Sequence, residues 1–340
     1  MVRKSLLVVA LLAIATPALA QEAGNVWSSK RPDAQAPVGV VGGRTLELGQ
    51  VEFTYRYNRL TSTGIWFDNV MLSPDFVGEY YQVVPLSLVS EVHSLGVAVA
   101  ASEDLTLMAN LGYTLRERDQ VTNDYEFWYF TNTEELTDLE ISGLYRVYDQ
   151  GPYRAHLHFG ASIPTGTYDV KGKTVFSTPG EENLTYDMRA GAGTFGAMPG
   201  ITMAAQNDVA TVGAQLKGTI YFGTNDQDFA PGNRMEFNAW AAYKASDYFA
   251  VTARAAYQDW GAIEGADPAA KPRRDPGYDG LGLGGHRLDI PVGISLYMPE
   301  GTRFAGHRLS VEYIYPASHK YDGPQLAADW GLVAAWQVVF

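Results

Sequence analysis

Cysteine is absent from the sequence, which excludes a disulfide framework and thiol chemistry. After the N-terminal segment, no apolar run is long enough to cross a bilayer as a helix. Basic residues are too few to balance the acidic ones, and the formal net charge of -13 argues against nucleic acid as a partner. A Pro/Ser-rich linker and a long-period repeat are also missing, so one domain is the simpler account of 340 residues. What remains to be explained is how the apolar residues, 46% of the chain, are distributed.

The N-terminus has the three parts of a secretory signal. Arg3 and Lys4 precede an apolar run, and small residues suited to cleavage follow at positions 18–20. A membrane anchor is the alternative, but an anchor needs about 20 apolar residues and usually lacks such a cleavage site. We therefore predict that residues 1–20 are a signal peptide.

The C-terminal segment, residues 326–340, alternates between two faces with a period of two. Trp336, Val338 and Phe340 fall on one face, and the chain ends on the bare aromatic residue. A terminal aromatic residue on an alternating strand resembles the insertion signal of bacterial outer-membrane β-barrels. We interpret these three residues as an insertion signal for the barrel-insertion machinery, which requires alternation in every earlier strand and an even strand number.

The same alternation recurs along the chain, in segments at or above the ~9–11 residues that a tilted strand needs to cross a membrane. The predicted segments are residues 51–62, 89–101, 105–118, 138–149, 153–164, 195–206, 209–223, 233–245, 248–260, 286–298, 307–316 and 326–340. The fold class predicted is therefore all-β: a transmembrane, antiparallel, up-and-down β-barrel of about 12 strands that occupies residues 51–340.

The connections between these segments alternate in length, which predicts the topology. Short ones surround residues 102–104, 150–152, 207–208, 246–247 and 300–306. Long ones lie near residues 63–88, 119–137, 165–194, 224–232, 261–285 and 317–325. Because short periplasmic turns alternate with long outer loops in such barrels, we predict that both chain ends face the periplasm.

Each strand also predicts which side chains face lipid. In the first strand Phe53 and Tyr55 would face outward, and Glu52 and Arg56 would face the lumen. A basic side chain toward lipid near the midplane costs ~2–4 kcal/mol, and the alternation places none there in the four strands assigned residue by residue. Aromatic residues near strand ends suit an interfacial girdle: Tyr57, Tyr113, Tyr243, Tyr257, Tyr313 and Trp330.

Residues 21–50 form a long leader before the first strand. Its Pro and Gly residues exclude a long helix. One interpretation is a plug inserted into the lumen from the periplasmic side, and the other is a disordered periplasmic leader. The plug residues predicted are Arg31, Pro32, Asp33, Pro37, Gly39 and Gly42.

The lumen-facing positions of the alternating strands hold acidic side chains, basic side chains and two imidazoles. Mixed signs favour salt-bridged packing, whereas an anion-selective pore would show basic residues facing few acids. His156 and His158 point the same way and would be able to share a metal, but no carboxylate motif accompanies them, so no metal and no cofactor are predicted. The lumen-lining residues predicted are Arg56, Arg116, Glu140, Arg146, Arg154, His156, His158, Lys217, Arg234, Glu236, Arg254, Arg287, Asp289 and Glu312.

Some outer-membrane barrels are hydrolases, so a lipid hydrolase is an alternative to a channel. Such a site needs a Ser, a neighbouring His and an orienting polar residue. His93 and Ser94 are adjacent, but no G-x-S-x-G elbow and no third member accompany them. We predict no catalytic residue.

Scattered stretches resemble the family of outer-membrane transporters associated with the meta-pathway of phenol degradation. These are residues 31–42, 48–60, 163–167, 223–240, 260–268, 305–309 and 323–340. The resemblance implies a 12-stranded barrel and uptake of aromatic compounds. Members of the family have a Met- and His-rich leader and first strand, whereas this chain has Gln35, Val41 and Asn58 there. A metal-handling role is therefore not implied for this chain.

Two functions remain open from the sequence. The first is an outer-membrane channel or transporter that passively admits small, hydrophobic or aromatic molecules through a gated lumen. The second is a structural or adhesin-like barrel with a closed lumen and interacting outer loops. Both would have outer-membrane lipid as a partner, and only the first would have a small-molecule solute.

Overall fold

The computed structural model describes residues 27–177 and 179–340. The predicted signal peptide, residues 1–20, lies outside the described residues, as do residues 21–26. In the described part of the chain no helix has the length and apolar character needed to span a membrane. The helical elements are α1 (Pro74–Gly78) and the 3-10 turns Tyr186–Met188, Pro276–Tyr278 and Gly280–Gly282. The strands are β1 (Val51–Asp68), β2 (Val70–Leu72), β3 (Val83–Ala100), β4 (Leu105–Thr122), β5 (Trp128–Leu136), β6 (Leu139–Gln150), β7 (Tyr153–Ile163), β8 (Lys171–Gly172), β9 (Glu182–Asn183), β10 (Gly196–Ala197), β11 (Gly200–Gln206), β12 (Ala210–Tyr221), β13 (Phe229–Ala230), β14 (Arg234–Lys244), β15 (Phe249–Trp260), β16 (Glu264–Gly265), β17 (Gly285–Tyr297) and β18 (His307–Val339).

The main strands close into a single antiparallel ring. Its order is β1, β3, β4, β6, β7, β11, β12, β14, β15, β17 and β18, and β18 pairs back with β1. Each strand pairs with its neighbour along the chain, as an up-and-down barrel requires. The predicted all-β barrel is confirmed.

The last strand, β18, is a hairpin. Residues 308–321 pair with β17, and residues 321–339 pair with β1. A straight strand of this length would extend ~110 Å, but the Tyr313 and Trp330 rings stack with centroids 6.4 Å apart, so the two arms lie side by side. When the two arms of β18 are counted as separate strands, the ring formed by the described residues has an even number of strands, as predicted.

On one side of the barrel, the strands extend further toward the outer end than the alternation predicted. Residues 63–68 and 83–88, expected in an outer loop, belong to β1 and β3. Residues 128–136, also expected in a loop, form β5, which pairs with the outer part of β4. Aromatic and β-branched residues favour the pleated conformation here, and neighbouring strand ends supply hydrogen-bonding partners. These outer strands continue the barrel wall beyond the apolar band.

One predicted strand, residues 195–206, is interrupted. It divides into β10 and β11 on either side of Pro199. Proline has no backbone N–H to donate to the ladder, so regular pairing stops there.

Exposure alternates along the strands in the predicted sense. On β7, Leu157 and Phe159 are 43% and 52% exposed, whereas His156 and His158 are each 4% exposed. On β17, Val292 is 49% exposed and faces outward. The outer surface is therefore apolar and the interior polar, as in a barrel that faces lipid.

Candidate functional site: the closed lumen

The described part of the leader, residues 27–50, lies inside the barrel as a loop that enters and leaves at the periplasmic end. The Trp27 N–H donates to the carbonyl of Gly151 in one periplasmic turn at 3.0 Å. Arg31 Nη1 donates to the carbonyl of Asn207 in another turn at 2.6 Å. The chain then rises to an apex at residues 38–42 and descends to β1. Val38 packs at the apex against side chains of β18.

The ascending arm is held by buried charges. The Asp33 side chain is fully buried, pairs with Arg31 at 2.7 Å and accepts a hydrogen bond from Thr211 Oγ1 at 3.1 Å. Arg308, 4% exposed, donates to the carbonyl of Arg31 at 2.8 Å and to that of Pro32. Buried charges need such partners, so these contacts fix the arm against the wall.

At the apex the leader contacts an ion pair in the wall. The Gly39 N–H donates to Glu312 Oε2 at 2.8 Å, and Arg254 Nε lies 3.2 Å from Glu312 Oε1. Arg254 also donates from Nη1 to Asn238 Oδ1 at 2.6 Å. A Cβ on Gly39 would lie 2.0 Å from Arg254 Nη2, so any other residue here would displace the Arg254 side chain.

The other side of the apex is held through carbonyl groups. His156 Nε2 donates to the carbonyl of Gly42 at 2.9 Å, and Gln215 Nε2 donates to that of Val41 at 3.0 Å. Arg56 Nε donates to the carbonyl of Val38 at 3.1 Å. Since carbonyl groups only accept, these wall side chains act as donors to the leader backbone.

The descending arm returns along the opposite wall. The Leu46 N–H donates to Thr106 Oγ1 at 2.9 Å, and Leu46 packs on Ala98. Arg146 Nη2 donates to the carbonyl of Leu46 at 3.1 Å, and Arg44 pairs with Glu52. Beside the leader, cavities of only about 50 and 20 Å³ remain. In the described residues, the leader occupies the periplasmic half of the lumen.

Two outer loops, residues 164–195 and 261–284, meet over the opposite end; we call them the outer cap. Arg118 in β4 makes a two-pronged contact with Asp275 in the cap, with both N–O distances 2.7 Å. Arg189 Nη2 lies 2.7 Å from Asp267 Oδ2 and joins the two loops to each other. The Arg118, Asp275, Arg189 and Asp267 side chains are all at most 4% exposed.

Two carboxyl groups of the cap, those of Glu182 and Asp267, are held in their ionised form. Burial would raise the pKa of the Glu182 carboxyl, but hydrogen bonds from Lys271 and Thr174 and the charge of Arg274 outweigh it, and the pKa is lowered. Burial acts the same way on the pKa of Asp267, where bonds from the Ala269 N–H, Arg189 and Asn183 outweigh it and lower the pKa. The cap is therefore built on charged pairs at neutral pH.

The predicted lumen residues divide by what they contact. Those that contact the leader are Arg56, Arg146, His156, Arg254 and Glu312. Arg116 donates to the carbonyl of Arg189 in the cap at 2.5 Å. Pairs within the wall are Lys217 with Glu236 at 3.8 Å, Arg287 with Asp289 at 2.8 Å and Arg154 with Asp149 at 3.0 Å. The side chains of Glu140, His158 and Arg234 make no hydrogen bond or ion pair with the part of the chain that the structure describes.

Several contacts were not anticipated. Arg308 and Gln215 were omitted from the predicted set, although alternation from Glu312 and Lys217 turns both toward the lumen. The pairing of Arg118 with Asp275 spans 157 positions and has no local signature. The loop partner becomes apparent only when the outer loops fold over the mouth.

The other candidates give neither a metal centre nor a catalytic pair. No three His, Cys, Asp or Glu residues within the described ranges are placed to hold a metal ion. His93 bonds to the Tyr55 hydroxyl at 2.7 Å, whereas Ser94 Oγ donates to the carbonyl of Arg56 at 3.4 Å. As neighbours on one strand, His93 and Ser94 face opposite sides of the wall.

A closed antiparallel ring, an apolar outer band and a polar interior together define a bacterial outer-membrane β-barrel, located in the outer membrane. The comparison with solved structures agrees. The chain is similar to an outer membrane channel from Pseudomonas putida F1, with a TM-score of 0.60 and 12% identity, over 88% of this chain and 99% of the channel. It is also similar to the transport unit of the autotransporter AIDA-I from Escherichia coli, with a TM-score of 0.51 and 11% identity, over 88% and 91%. No protein-family model matches the sequence, and the search of curated proteins gives no match. The similarity establishes the fold.

Proposed function

We propose that the protein is a passive outer-membrane channel for small, hydrophobic or aromatic molecules, whose lumen is closed by the leader on the periplasmic side and by the outer cap on the other. The observation that carries the proposal is the form of the leader. Discrete polar contacts hold it around a glycine-containing apex, and its described residues, 27–50, form no strand paired to the barrel wall. A segment that is held in this way can leave without breaking the barrel.

The leader and the outer cap close the lumen in a different way from the side chains that fill a narrow barrel. A narrow eight-stranded barrel is about filled by its own side chains, but a ring of the present size encloses more space than its inward side chains occupy. Here that space is taken up by chain segments, not by larger wall residues. Gly160 and Gly293 are among the inward positions of the wall. The similar Pseudomonas putida F1 protein is a channel, which supports the same role here.

The test compares ion conductance in planar bilayers for three forms of the protein. We expect the full-length protein to be nearly silent, deletion of residues 21–43 to raise conductance, and the same deletion with Asp267→Asn and Asp275→Asn to raise it further. The second step follows because the cap loses its ion pairs to Arg189 and Arg118. Liposome swelling with toluene-sized neutral solutes would show whether such molecules pass.

Asp247→Asn is the matched control, since Asp247 forms an exposed ion pair with Lys244 in a periplasmic turn, away from the cap. It should leave conductance unchanged. Silence of all three forms, with correctly folded barrels, would instead favour a closed structural or adhesin-like barrel. Trp128 and Phe130, 66% and 62% exposed on the outer strand β5, would then be the surface to examine.

A further inference from the structure

A cavity of about 200 Å³ lies against the inner wall where β14, β15, β17 and β1 approach the outer mouth. Arg234, Gln258, Trp260 and Arg287 line it. We propose that this cavity binds small organic carboxylates whose apolar body is about one ring in size, with Arg234 pairing the carboxylate. The inference rests on the proposed channel function and names one class of solute for it.

The charges around the cavity leave one cation uncommitted. Arg287 Nε is engaged by Asp289 at 2.8 Å. The Arg234 side chain forms no ion pair or hydrogen bond with any residue that the structure describes, and it is exposed to the lumen cavity. A guanidinium presents a planar set of donors that matches a carboxylate, so Arg234 is the group to which an anion would bind.

Two acidic residues also line the cavity, and both have partners. Glu236 lies 3.8 Å from Lys217 Nζ. Asp259 accepts a hydrogen bond from the Tyr257 hydroxyl at 3.3 Å. Neither acid forms an ion pair with Arg234, so its guanidinium is open to a solute.

The remaining lining is apolar and fits a compact body. Leu60 supplies aliphatic surface, and the Trp260 ring supplies a flat one. The indole N–H of Trp260 is already bonded to the carbonyl of Leu283 at 2.8 Å, so the ring contributes mainly its apolar surface. An apolar cavity of ~150 Å³ is known to accommodate benzene, so the present volume suits a single ring with a small substituent. Gln258 adds an amide beside Arg234.

The test is equilibrium binding of benzoate to the purified full-length protein in detergent at neutral pH, measured by dialysis with labelled ligand. Benzyl alcohol and benzylamine, which share the ring, are the comparison probes. We expect benzoate to bind at least about tenfold more tightly than either, because a charged hydrogen-bonded pair is roughly twice as strong as a neutral one. Arg234→Gln should weaken benzoate binding about tenfold and leave benzyl alcohol binding unchanged.

Arg154→Gln is the matched control, because it removes one lumen arginine near the periplasmic end, where Arg154 pairs with Asp149. It should not change benzoate binding. Should Arg234→Gln fail to fold, Leu60→Trp tests the same site by filling the cavity without altering charge, and it should abolish binding of benzoate. Equal affinity for the three probes, or benzoate binding that survives both variants, would overturn the inference. Because binding is measured at equilibrium, a failure here leaves the conductance test of the channel untouched.

Discussion

At the scale of single residues, one buried ion pair and one glycine determine how the apex of the leader is held. Arg254 and Glu312 are 9% and 1% exposed, and Gly39 approaches both. A buried ion pair contributes little net stability over an apolar replacement, but it becomes costly when one partner is removed. Here the pair has a positioning role, since Arg254 holds the Glu312 carboxylate where it accepts the hydrogen bond from the Gly39 N–H.

The substitution Gly39→Ala tests this position. Its Cβ would lie 2.7 Å from Glu312 Oε2 as well as against Arg254, and overpacking of this kind costs ~1–3 kcal/mol. The barrel itself should remain folded, and the amides of residues 38–42 should exchange hydrogen about tenfold or more faster by mass spectrometry. Gly218→Ala in β12 is the control, because its Cβ would meet its nearest atoms at an ordinary 3.6 Å. Equal exchange in the two variants would contradict the role given to Gly39.

At the scale of elements, the outer cap is an electrostatic assembly and responds to pH. The folded-state pKa values of Asp267 and Glu182 are lowered, so their contribution is fully present above the ordinary carboxyl range near ~4 and is lost as pH falls through the lowered values. We expect the leader-deleted protein to keep a constant conductance from pH 7 to about 5 and to conduct more below about 4.

Asp267→Asn provides the comparison for this pH dependence. In the leader-deleted protein, this variant should have a higher conductance at neutral pH. Its conductance should rise less on acidification, since one of the titrating groups is gone. If acid closes the channel, or if the variant has the same profile as the parent, the cap is not held by these carboxylates.

The elements also mark how far the sequence could predict the structure. Alternation predicts the barrel because each strand has a buried and a lipid-facing side, and it turns Arg254 and Glu312 inward without any three-dimensional information. It fails at β5, where aromatic residues in a segment interpreted as loop form a strand outside the membrane. It also gives no information on the cap, because a contact such as that of Arg118 in β4 with Asp275 in the cap joins residues that no local period relates.

At the scale of the whole molecule, the apolar outer band determines whether the ring is stable in lipid. Val292 lies in β17 between Ile290 and Ile294, all facing outward. Val292→Arg should lower the free energy of unfolding in lipid vesicles by ~2–4 kcal/mol, measured by denaturant titration. Asn58→Arg, on the lumen side of β1, should cost much less. A similar loss for both would mean that the assignment of faces is wrong.

The leader is synthesised first, yet its partners come from the end of the chain. Val38 packs on Ile314 and Val333, Gly39 bonds to Glu312, and Arg308 bonds to the carbonyl of Arg31, across separations of more than 270 positions. Contacts between such distant positions form slowly. Docking of the leader thus has to await the C-terminal hairpin, so a nascent barrel would stay unobstructed until its seam is sealed. The order of biogenesis then makes occlusion a final maturation event, which a truncated C-terminus would leave unfinished.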